Sequence, residues 1–469
     1  MKKREKVKRK GIPVPNVYVL MLFVVLICGI LTYVIPAGEY SRVTGSGGQE
    51  VVDPDSFRYG EQTPVGIMGL LETVPQGLVE SAGMIFLIFI LGGAFQVVQE
   101  TGAIHTGIAI LTNKLGKKEF VVIPVMMFLF SMGGALYGMA EETLPFIPIM
   151  ILLATSVGYD SLVGAGIVLA GSTAGFAAAF LNPFTVGIAQ GIAGVPLLSG
   201  MGLRVALYIC MVSLAIGYVL RYALKVKKSP EISPVREIDR GRTDRLNLEE
   251  TPKLTAGQIL VLLTFVGTIA VLIYGVFRYG WYLQEITALF FGMSVLAAVF
   301  TGMSPNRYGE NLVKGMTGIA GGALAVGFAR SILVVLQQGG ILDTILYGIA
   351  KGVAWLPAQI SAMGMYLFQC LLNYVIPSGS AQAAVSMPIM APLSDLVGVT
   401  RQTAVLAFQL GDGISNIFTP TSGLLMAGLA LGKIPWNKWA RWIGPLILLE
   451  YLLGAVFIII AQAIHYGPF

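Results

Sequence analysis

The apolar residues of this chain come in long, nearly uninterrupted runs, and this pattern limits the fold more than any other feature of the sequence. Several runs reach about 20 residues, the length that a helix needs to cross the hydrocarbon core of a bilayer. Hydrophobic residues make up 55% of the 469 residues, and charged residues only 12%. Soluble domains carry about 25% charged residues, so the sequence predicts an all-α polytopic membrane protein.

The apolar runs divide into full crossings, broken crossings and hairpins. We expect nine crossings, at roughly 17–36, 83–99, 161–197, 203–222, 256–276, 283–301, 318–338, 401–430 and 443–463. The runs at 161–197 and 401–430 are too long for one straight span and contain a proline, so we predict a break in each helix. Two further stretches, about 119–155 and about 359–395, are interrupted midway by polar or Gly/Pro-rich residues. We interpret these two stretches as re-entrant helical hairpins.

The same pattern predicts how the chain is divided. The first half covers 17–222 and the second half 256–469, and a polar, proline-bearing cytoplasmic linker at 223–255 connects them. Such a linker is expected to be mobile. Segments 64–80 and 303–316 are amphipathic, which is typical of helices that lie along the membrane interface.

Basic residues in the loops predict the orientation. Cytoplasmic loops of membrane proteins are enriched in Lys and Arg, and the tail at 1–16 is strongly basic. The run that follows this tail is too long for the apolar core of a signal peptide. If 119–155 and 359–395 are hairpins, the basic linker lies inside; if they are single spans, it lies outside. We therefore favour hairpins in a bacterial inner membrane, with a cytoplasmic N-terminus and an external C-terminus.

An internal repeat relates the two halves. Residues 138–160 align with 378–400 at an offset of 240, and Asn182-Pro183 aligns with Thr419-Pro420 at an offset of 237. In the predicted topology the first hairpin opens from the cytoplasm and the second from outside, so the two repeats are inverted. Transporters with inverted repeats place their substrate site near the bilayer midplane, at discontinuous helices.

Polar residues collect where these helices are interrupted. Irregular backbone at membrane depth is tolerated only where protein or a water-filled cavity satisfies it. Freed carbonyls and hydroxyls suit Na⁺, and half-helix N-termini suit a carboxylate. The expected substrate-binding residues at the hairpin tips and helix breaks are Glu141, Glu142, Thr143, Asn182, Thr185, Ser378, Gly379, Ser380, Gln382 and Asn416. The expected coupling-ion residues are Asp412, Thr419, Thr421 and Ser422.

Four charged residues within apolar runs are candidates for a direct role. Glu141 and Glu142 could bind a substrate ammonium or guanidinium group or carry a coupling proton, and either could instead cap a helix. Arg330 could hold a substrate carboxylate or form a structural ion pair. Asp412 could coordinate a cation. A carboxylate at the bilayer centre costs about 2.5–3.5 kcal/mol on insertion scales, so such residues usually have a function.

Several other classes of protein are disfavoured. The chain has only two histidines, and its three cysteines are far apart in apolar runs, so we expect no metal centre beyond a bound Na⁺ and no other cofactor. The net charge of +6 comes from basic residues in short loops, which disfavours a nucleic-acid partner. The sequence contains no HExxH motif, Cys/His cluster or nucleophile elbow, so we do not expect an enzyme.

Specific stretches of the sequence resemble a known family. They are GMAEETLPFIPIM, GFAAAFLNPFTVGIAQGIAG, NYVIPSGSAQAAVSMPIMAPLSDLVGVTRQTAVLAFQLGDGISNIFTPTSG and KIPWNKWARW. Together they resemble the YfcC-type branch of the DcuC (C4-dicarboxylate anaerobic carrier) family, which belongs to the ion-transporter superfamily. The resemblance extends over essentially the whole chain.

This resemblance implies an elevator-type carrier, usually a homodimer, with a scaffold domain and a transport domain. Better-known members of the superfamily carry a Ser-Asn-Thr motif at each hairpin tip, which binds Na⁺ and a substrate carboxylate. Here the tips have Ala140-Glu141-Glu142 and Ser378-Gly379-Ser380 instead. Carriers of the YfcC-type branch are commonly described as basic amino-acid or arginine/ornithine carriers.

The sequence supports one main hypothesis and two rivals. The main hypothesis is a secondary transporter for a small, basic amino acid, driven by exchange or by Na⁺ or H⁺ coupling. Glu141 or Glu142 would bind the cationic group, and Asn182 and 378–380 the carboxylate. A carrier of dicarboxylates or peptide-like carboxylates on the same fold is the first alternative, and an ion channel is the second.

Overall fold

The computed structural model describes residues 17–44, 50–53, 55–104, 106–107, 110, 120–197, 199–242, 254–279, 281, 283–354 and 357–467. The basic tail at 1–16, the first residue of the first hairpin and the linker residues 243–253 therefore lie outside the described residues. Most of the described chain is helical. The helices of the first half are α1 (Val17–Val34), α2 (Ile67–Glu80), α3 (Ala82–Glu100), α4 (Val122–Tyr137), α5 (Phe146–Ser156), α6 (Ser161–Ala177), α7 (Ile188–Ala193) and α8 (Met201–Lys228).

The second part of the chain continues this pattern. Its helices are α9 (Arg236–Arg240), α10 (Ala256–Tyr279), α11 (Leu283–Phe300), α12 (Pro305–Gln338), α13 (Leu342–Ala354), α14 (Ala358–Asn373), α15 (Gly379–Leu396), α16 (Arg401–Ser415), α17 (Gly423–Leu431) and α18 (Trp436–Ala463). Among the described residues, five helices are long and apolar enough to cross a membrane: α3, α8, α11, α12 and α18. Shorter apolar helices occur at the predicted hairpins and broken crossings.

The loop between α1 and α2 contains the strands of the described chain, which departs from the all-α prediction. Two short antiparallel pairs join β1 (Gly38–Glu39) to β4 (Arg58–Tyr59) and β2 (Arg42–Thr44) to β3 (Glu50–Val52). The loop is held against α13 because the Asp343 carboxylate accepts hydrogen bonds from the Tyr40 amide and from Arg42, each at 2.9 Å.

The prediction of an interfacial helix at 303–316 is wrong. These residues form the first turns of α12, which continues without a break to Gln338. Gly315 in this segment has a packing role. A Cβ atom on Gly315 would lie 2.3 Å from the carbonyl oxygen of Gly92 in α3. The glycine therefore lets α12 and α3 approach closely, as small residues do in membrane helix pairs.

The first hairpin and the first broken helix pack directly on each other. The arms α4 and α5 are joined by a tip in which Gly138 adopts a left-handed conformation (φ 69°) and residues 141–143 form a short 3₁₀ turn. Helix α6 ends at Ala177, and after an irregular stretch the chain continues through a π-turn at Pro183–Gly187 into α7. Asn182 caps this π-turn, because its Oδ1 accepts a hydrogen bond from the Phe184 amide at 2.9 Å.

The second half repeats this arrangement of elements. Helices α14 and α15 form the second hairpin, with Ser378 at the N-terminus of α15. Helix α16 ends at Ser415, and α17 begins at Gly423 after an irregular stretch that contains Pro420. The interruptions between these helices therefore lie within a few residues of the predicted tips and breaks. The inversion of the two halves across a membrane stays a prediction.

The predicted linker is shorter and more structured than expected. Helix α8 continues to Lys228, and the chain that follows docks on the start of α6. The Asp160 carboxylate, which caps α6, accepts hydrogen bonds from Tyr222 and Ser233 at 2.7 Å. Asp239 accepts from the Ser161 amide at 2.9 Å. Buried polar partners of this kind hold residues 229–242 in place, which composition alone could not show.

Candidate functional site

The two broken helices cross where each of them is about to end. A Cβ atom on Gly413 in α16 would lie 2.3 Å from Cα of Ala177, the last residue of α6. The hairpin tips sit on the same region. A Cβ on Gly138 would lie 2.6 Å from Asn182 Oδ1, and one on Gly379 would lie 2.5 Å from the Thr185 side chain. All these glycines allow close contact, so the tips and breaks converge on one region.

A cavity of about 700 Å³ opens beside this crossing. It is lined by both hairpin tips, by the N-terminal ends of α3 and α17 and by the C-terminal third of α12. Ten of the predicted site residues line it: Glu141, Glu142, Thr185, Arg330, Ser378, Gly379, Ser380, Asn416, Thr421 and Ser422. The other five lie beneath the surface and are completely buried: Thr143, Asn182, Gln382, Asp412 and Thr419.

The first tip presents two neighbouring carboxyl groups to the cavity. Glu142 is 7% exposed, and its Oε2 accepts a hydrogen bond from the Ala140 amide at 2.9 Å. Glu141 also lines the cavity. Thr143 turns away from it and donates to the Ala140 carbonyl at 2.6 Å. Glu142 thus acts partly as a cap for the tip, while both carboxyl groups remain at the cavity wall.

Arg330 forms the ion pair that the sequence allowed as one of its two roles. Its Nε lies 2.8 Å from Oε2 of Glu80 at the end of α2, and both side chains are partly exposed at the cavity wall. Nothing in the sequence pointed to Glu80 as the partner, because it lies 250 positions away from Arg330. The pair leaves the guanidinium partly neutralised, so Arg330 contributes less positive charge to the cavity than an isolated arginine would.

A buried polar network lies directly under the second tip. Asp412 Oδ1 accepts a hydrogen bond from Asn373 at 2.8 Å, and Asn373 also donates to Gln382 at 3.2 Å. Gln382 donates in turn to Gln369 Oε1 at 2.8 Å. Gln382 is therefore satisfied inside the hairpin instead of facing the cavity. Gln369 and Asn373 are four residues apart on one face of α14, a signal that the sequence contained and our prediction did not use.

Some oxygen atoms of this region have no hydrogen-bond partner in the described chain. They are Asp412 Oδ2, Asn416 Oδ1, Thr185 Oγ1 and Asn373 Oδ1. Asp412 Oδ2 and the Thr185 side chain both lie against the backbone of Gly379. Buried polar atoms are normally satisfied by protein, water or an ion. Oxygen ligands of this type could hold Na⁺, although no three His, Cys, Asp or Glu side chains of the described chain converge as metal ligands.

The other predicted coupling-ion residues have a local role at the second break. Thr419 and Thr421 share a hydrogen bond at 2.7 Å. Ser422 Oγ accepts from the Leu425 amide at 3.3 Å and so caps α17. The structure therefore brings Asp412 and Thr185 of the first break together at Gly379, whereas Thr419 and Thr421 bond to each other and Ser422 caps α17.

A second cavity of about 600 Å³ lies beside the second arm of the first hairpin, and none of the predicted site residues lines it. It is bounded by α5, the docked linker, the C-terminal half of α3 and the first half of α12. Lys314, Lys433 and the pair formed by Arg242 and Asp239 supply its charged groups. The two cavities therefore differ in charge: acidic residues predominate at the tips and basic residues at the linker.

Comparison with known proteins shows where the chain belongs. The family model for DcuC, described as C4-dicarboxylate anaerobic carrier, matches residues 14–463. The chain belongs to the DcuC family. A DcuC-family chain with several apolar helices is a multi-pass membrane transporter, which agrees with the expectation that it is not an enzyme.

Two relatives match this DcuC-family chain over nearly its whole length. One, from Escherichia coli (strain K12), is named "Putative basic amino acid antiporter YfcC"; it is 36% identical, and the match covers 96% of this chain and 97% of that one. An uncharacterized protein of Haemophilus influenzae is 27% identical, with 98% and 99% covered. The resemblance to the YfcC-type branch of the family is thus confirmed.

Two solved structures also match, both at 17% identity. The YdaH transporter of Alcanivorax borkumensis gives a TM-score of 0.43 over 97% of this chain and 100% of that chain. MtrF of Neisseria gonorrhoeae, titled as one of a class of antimetabolite efflux pumps, gives 0.42 over 96% of both chains.

Proposed function

We infer that this DcuC-family protein carries basic amino acids across the membrane and binds them in the cavity at the hairpin tips. The observation that supports this proposal is the surplus of negative charge there. The charged residues of the described lining are Glu80, Glu141, Glu142 and Arg330. Because Arg330 pairs with Glu80, the two tip carboxyl groups remain without a cation. A substrate with two positive groups would compensate them.

The opposite wall of the cavity suits the carboxylate of such a substrate. Ser378 precedes α15 and makes no side-chain cap, so the amide groups of the first turn remain open at the cavity. The N-terminus of an 18-residue helix carries a partial positive charge and attracts anions. The α-carboxylate would bind at Gly379 and Ser380, and the ammonium or guanidinium groups at Glu141 and Glu142.

The packing supports an elevator mechanism as part of this proposal. Helices α4 to α7 pack with α15 and α16 around the crossing, and α14 packs on α16; this group carries both tips and the ends of α6 and α16, whereas α17 packs mainly on α12. Helices α2, α3, α11 and α12 pack with one another and line the cavity from outside that group. The first group would move as the transport domain and the second would serve as the scaffold. The proposed protein is a homodimer in the inner membrane, with its N-terminus in the cytoplasm.

Counterflow into proteoliposomes tests the substrate. Vesicles preloaded with unlabelled arginine or ornithine should take up radiolabelled arginine, and vesicles preloaded with succinate should not. Succinate uptake without arginine uptake would overturn the basic-substrate proposal. It would favour a dicarboxylate carrier, the function that the family description names and that the open N-terminus of α15 would also suit.

Neutral variants of the first tip test the residues. Hydrogen bonds to charged groups contribute about 1.5–3 kcal/mol, so Glu141→Gln or Glu142→Gln should raise the KM for arginine by roughly 10- to 150-fold. Glu72→Gln is the matched control, since Glu72 is exposed on α2 and does not line the cavity. Equal KM values in all three variants would show that the tip carboxyl groups do not bind the substrate.

A further inference from the structure

Glu450 is a buried carboxyl group that lies apart from the cavity. It sits in the middle of α18, in the apolar sequence ILLEYLLGAV, and is 1% exposed. Its Oε1 has no hydrogen-bond partner in the described chain, and none of the ion pairs found there includes it. A carboxylate at membrane depth without a cation costs about 2.5–3.5 kcal/mol on insertion scales. Protonation removes that cost.

A tyrosine hydroxyl lies near this carboxyl group. Tyr366 of α14 interacts with Glu450 electrostatically, and its hydroxyl lies 2.6 Å from the Cβ position of Gly454, one turn further along the same face of α18. The Tyr451 hydroxyl is also buried, and it interacts with the side chains of Ser415 and Tyr374. Buried polar atoms are normally satisfied, so the unpartnered Oε1 atom of Glu450 marks this cluster as a place where a proton can bind.

This cluster continues to the candidate site. Ser415 lies one turn after Asp412 on α16, and Tyr374 directly follows Asn373, which donates a hydrogen bond to Asp412 at 2.8 Å. The cluster around Glu450 therefore reaches residues that lie next to Asn373 and one turn from Asp412, beneath the second tip. Chains of acidic residues and hydroxyls inside membrane proteins carry protons.

The other elements packed against α18 bring no compensating charge to Glu450. From α14 the titratable neighbour is Tyr366, and α16 carries Asp412 and also Arg401, whose guanidinium pairs with Asp395 at 2.7 Å. On α8, Tyr218 bonds to the Trp442 carbonyl about two turns before Glu450. Arg204 bonds to Tyr466 more than four turns beyond it. Neither Tyr218 nor Arg204 therefore faces the carboxyl group of Glu450.

We propose that Glu450 binds and releases the coupling proton, so that proton movement drives transport through a carboxyl group that does not contact the substrate. The proton binds to a carboxylate oxygen of Glu450 and leaves to a neighbouring hydroxyl or water, which restores the carboxylate. This inference rests on the proposed function for its role in transport, but not for the proton-binding site.

Infrared difference spectroscopy of the purified protein tests the site without any substrate. A pH change from about pH 5 to about pH 9 should alter the C=O band of a protonated carboxyl group, and Glu450→Gln should remove that band. Glu72→Gln should leave it in place. A spectrum of Glu450→Gln identical to the wild type over this range would overturn the proposal.

Transport measurements then test coupling. With a pH gradient, Glu450→Gln should accumulate radiolabelled arginine at least about tenfold less than the wild type, while arginine counterflow remains measurable. Glu450→Asp, which keeps an ionisable group, should restore part of the accumulation, and Tyr451→Phe should slow it. Accumulation by Glu450→Gln at the wild-type level would refute the coupling role. Absence of arginine transport in the wild type would refute the proposed function instead, and the infrared result would still decide the proton site.

Discussion

Replacing Gly413 with alanine tests whether the crossing of the two broken helices organises the site. The new Cβ atom would lie 2.3 Å from Cα and 2.9 Å from N of Ala177. Carbon atoms in contact are about 3.5–4.0 Å apart, so the overlap exceeds about 1 Å. Both atoms belong to the backbone of α6, so no rotation of a side chain relieves it.

The expected loss of stability follows from two opposing effects. Overpacking of this kind costs up to about 3 kcal/mol, and alanine is about 1 kcal/mol more favourable than glycine within a helix. We therefore expect a net destabilisation of about 2 kcal/mol. Asp412 precedes Gly413, so a shift of α16 would also strain its hydrogen bond to Asn373 and its contact with Gly379.

Thermal unfolding of the purified protein, followed by the fluorescence of its five tryptophans, measures this effect. Gly292→Ala is the matched control, because a Cβ on Gly292 in α11 meets no atom within 4 Å. The control should keep or slightly raise the Tm, and Gly413→Ala should lower both the Tm and arginine counterflow. A Tm for Gly413→Ala equal to that of Gly292→Ala would refute the tight crossing.

Two further substitutions test the surroundings of the site. Arg330→Gln should change the free energy of unfolding by less than about 1 kcal/mol, because the pair with Glu80 is partly exposed. The same variant should bind arginine more tightly, because Glu80 would then be unpaired. Weaker arginine binding in counterflow would instead show that Arg330 orients the substrate. Asp160→Asn leaves one oxygen to accept from Val163, Tyr222 and Ser233, so it should cost about 1–3 kcal/mol and expose residues 229–242 to limited proteolysis. Unchanged protection of this segment would show that the linker docks without Asp160.

The positions of the interrupted elements were predictable from the sequence. A helix in a bilayer must be about 20 residues long and satisfy its own backbone, so apolar runs with a proline or a Gly/Ser-rich centre indicate where a crossing is broken. The tips at 138–143 and 377–382 and the breaks near Pro183 and Pro420 followed from this requirement. The interfacial helix predicted at 303–316 was wrong, because the amphipathic pattern of these residues does not show that their helix continues to Gln338.

The partners of the polar residues became visible only in the tertiary structure. Glu80 lies 250 positions from Arg330, and the Gly379 backbone that meets Thr185 and Asp412 lies in the other half of the chain from Thr185. Hydropathy reports whether a residue is in the membrane, but carries no information about which distant helix faces it. The composition of 223–255 predicted a mobile linker. In the structure, buried hydrogen bonds from Ser233 to Asp160 and from Ser161 to Asp239 hold its described part in place. The sequence shows Glu450 as an acidic residue in an apolar run. Only the helices packed around it show that no cation of the described chain lies beside its carboxyl group.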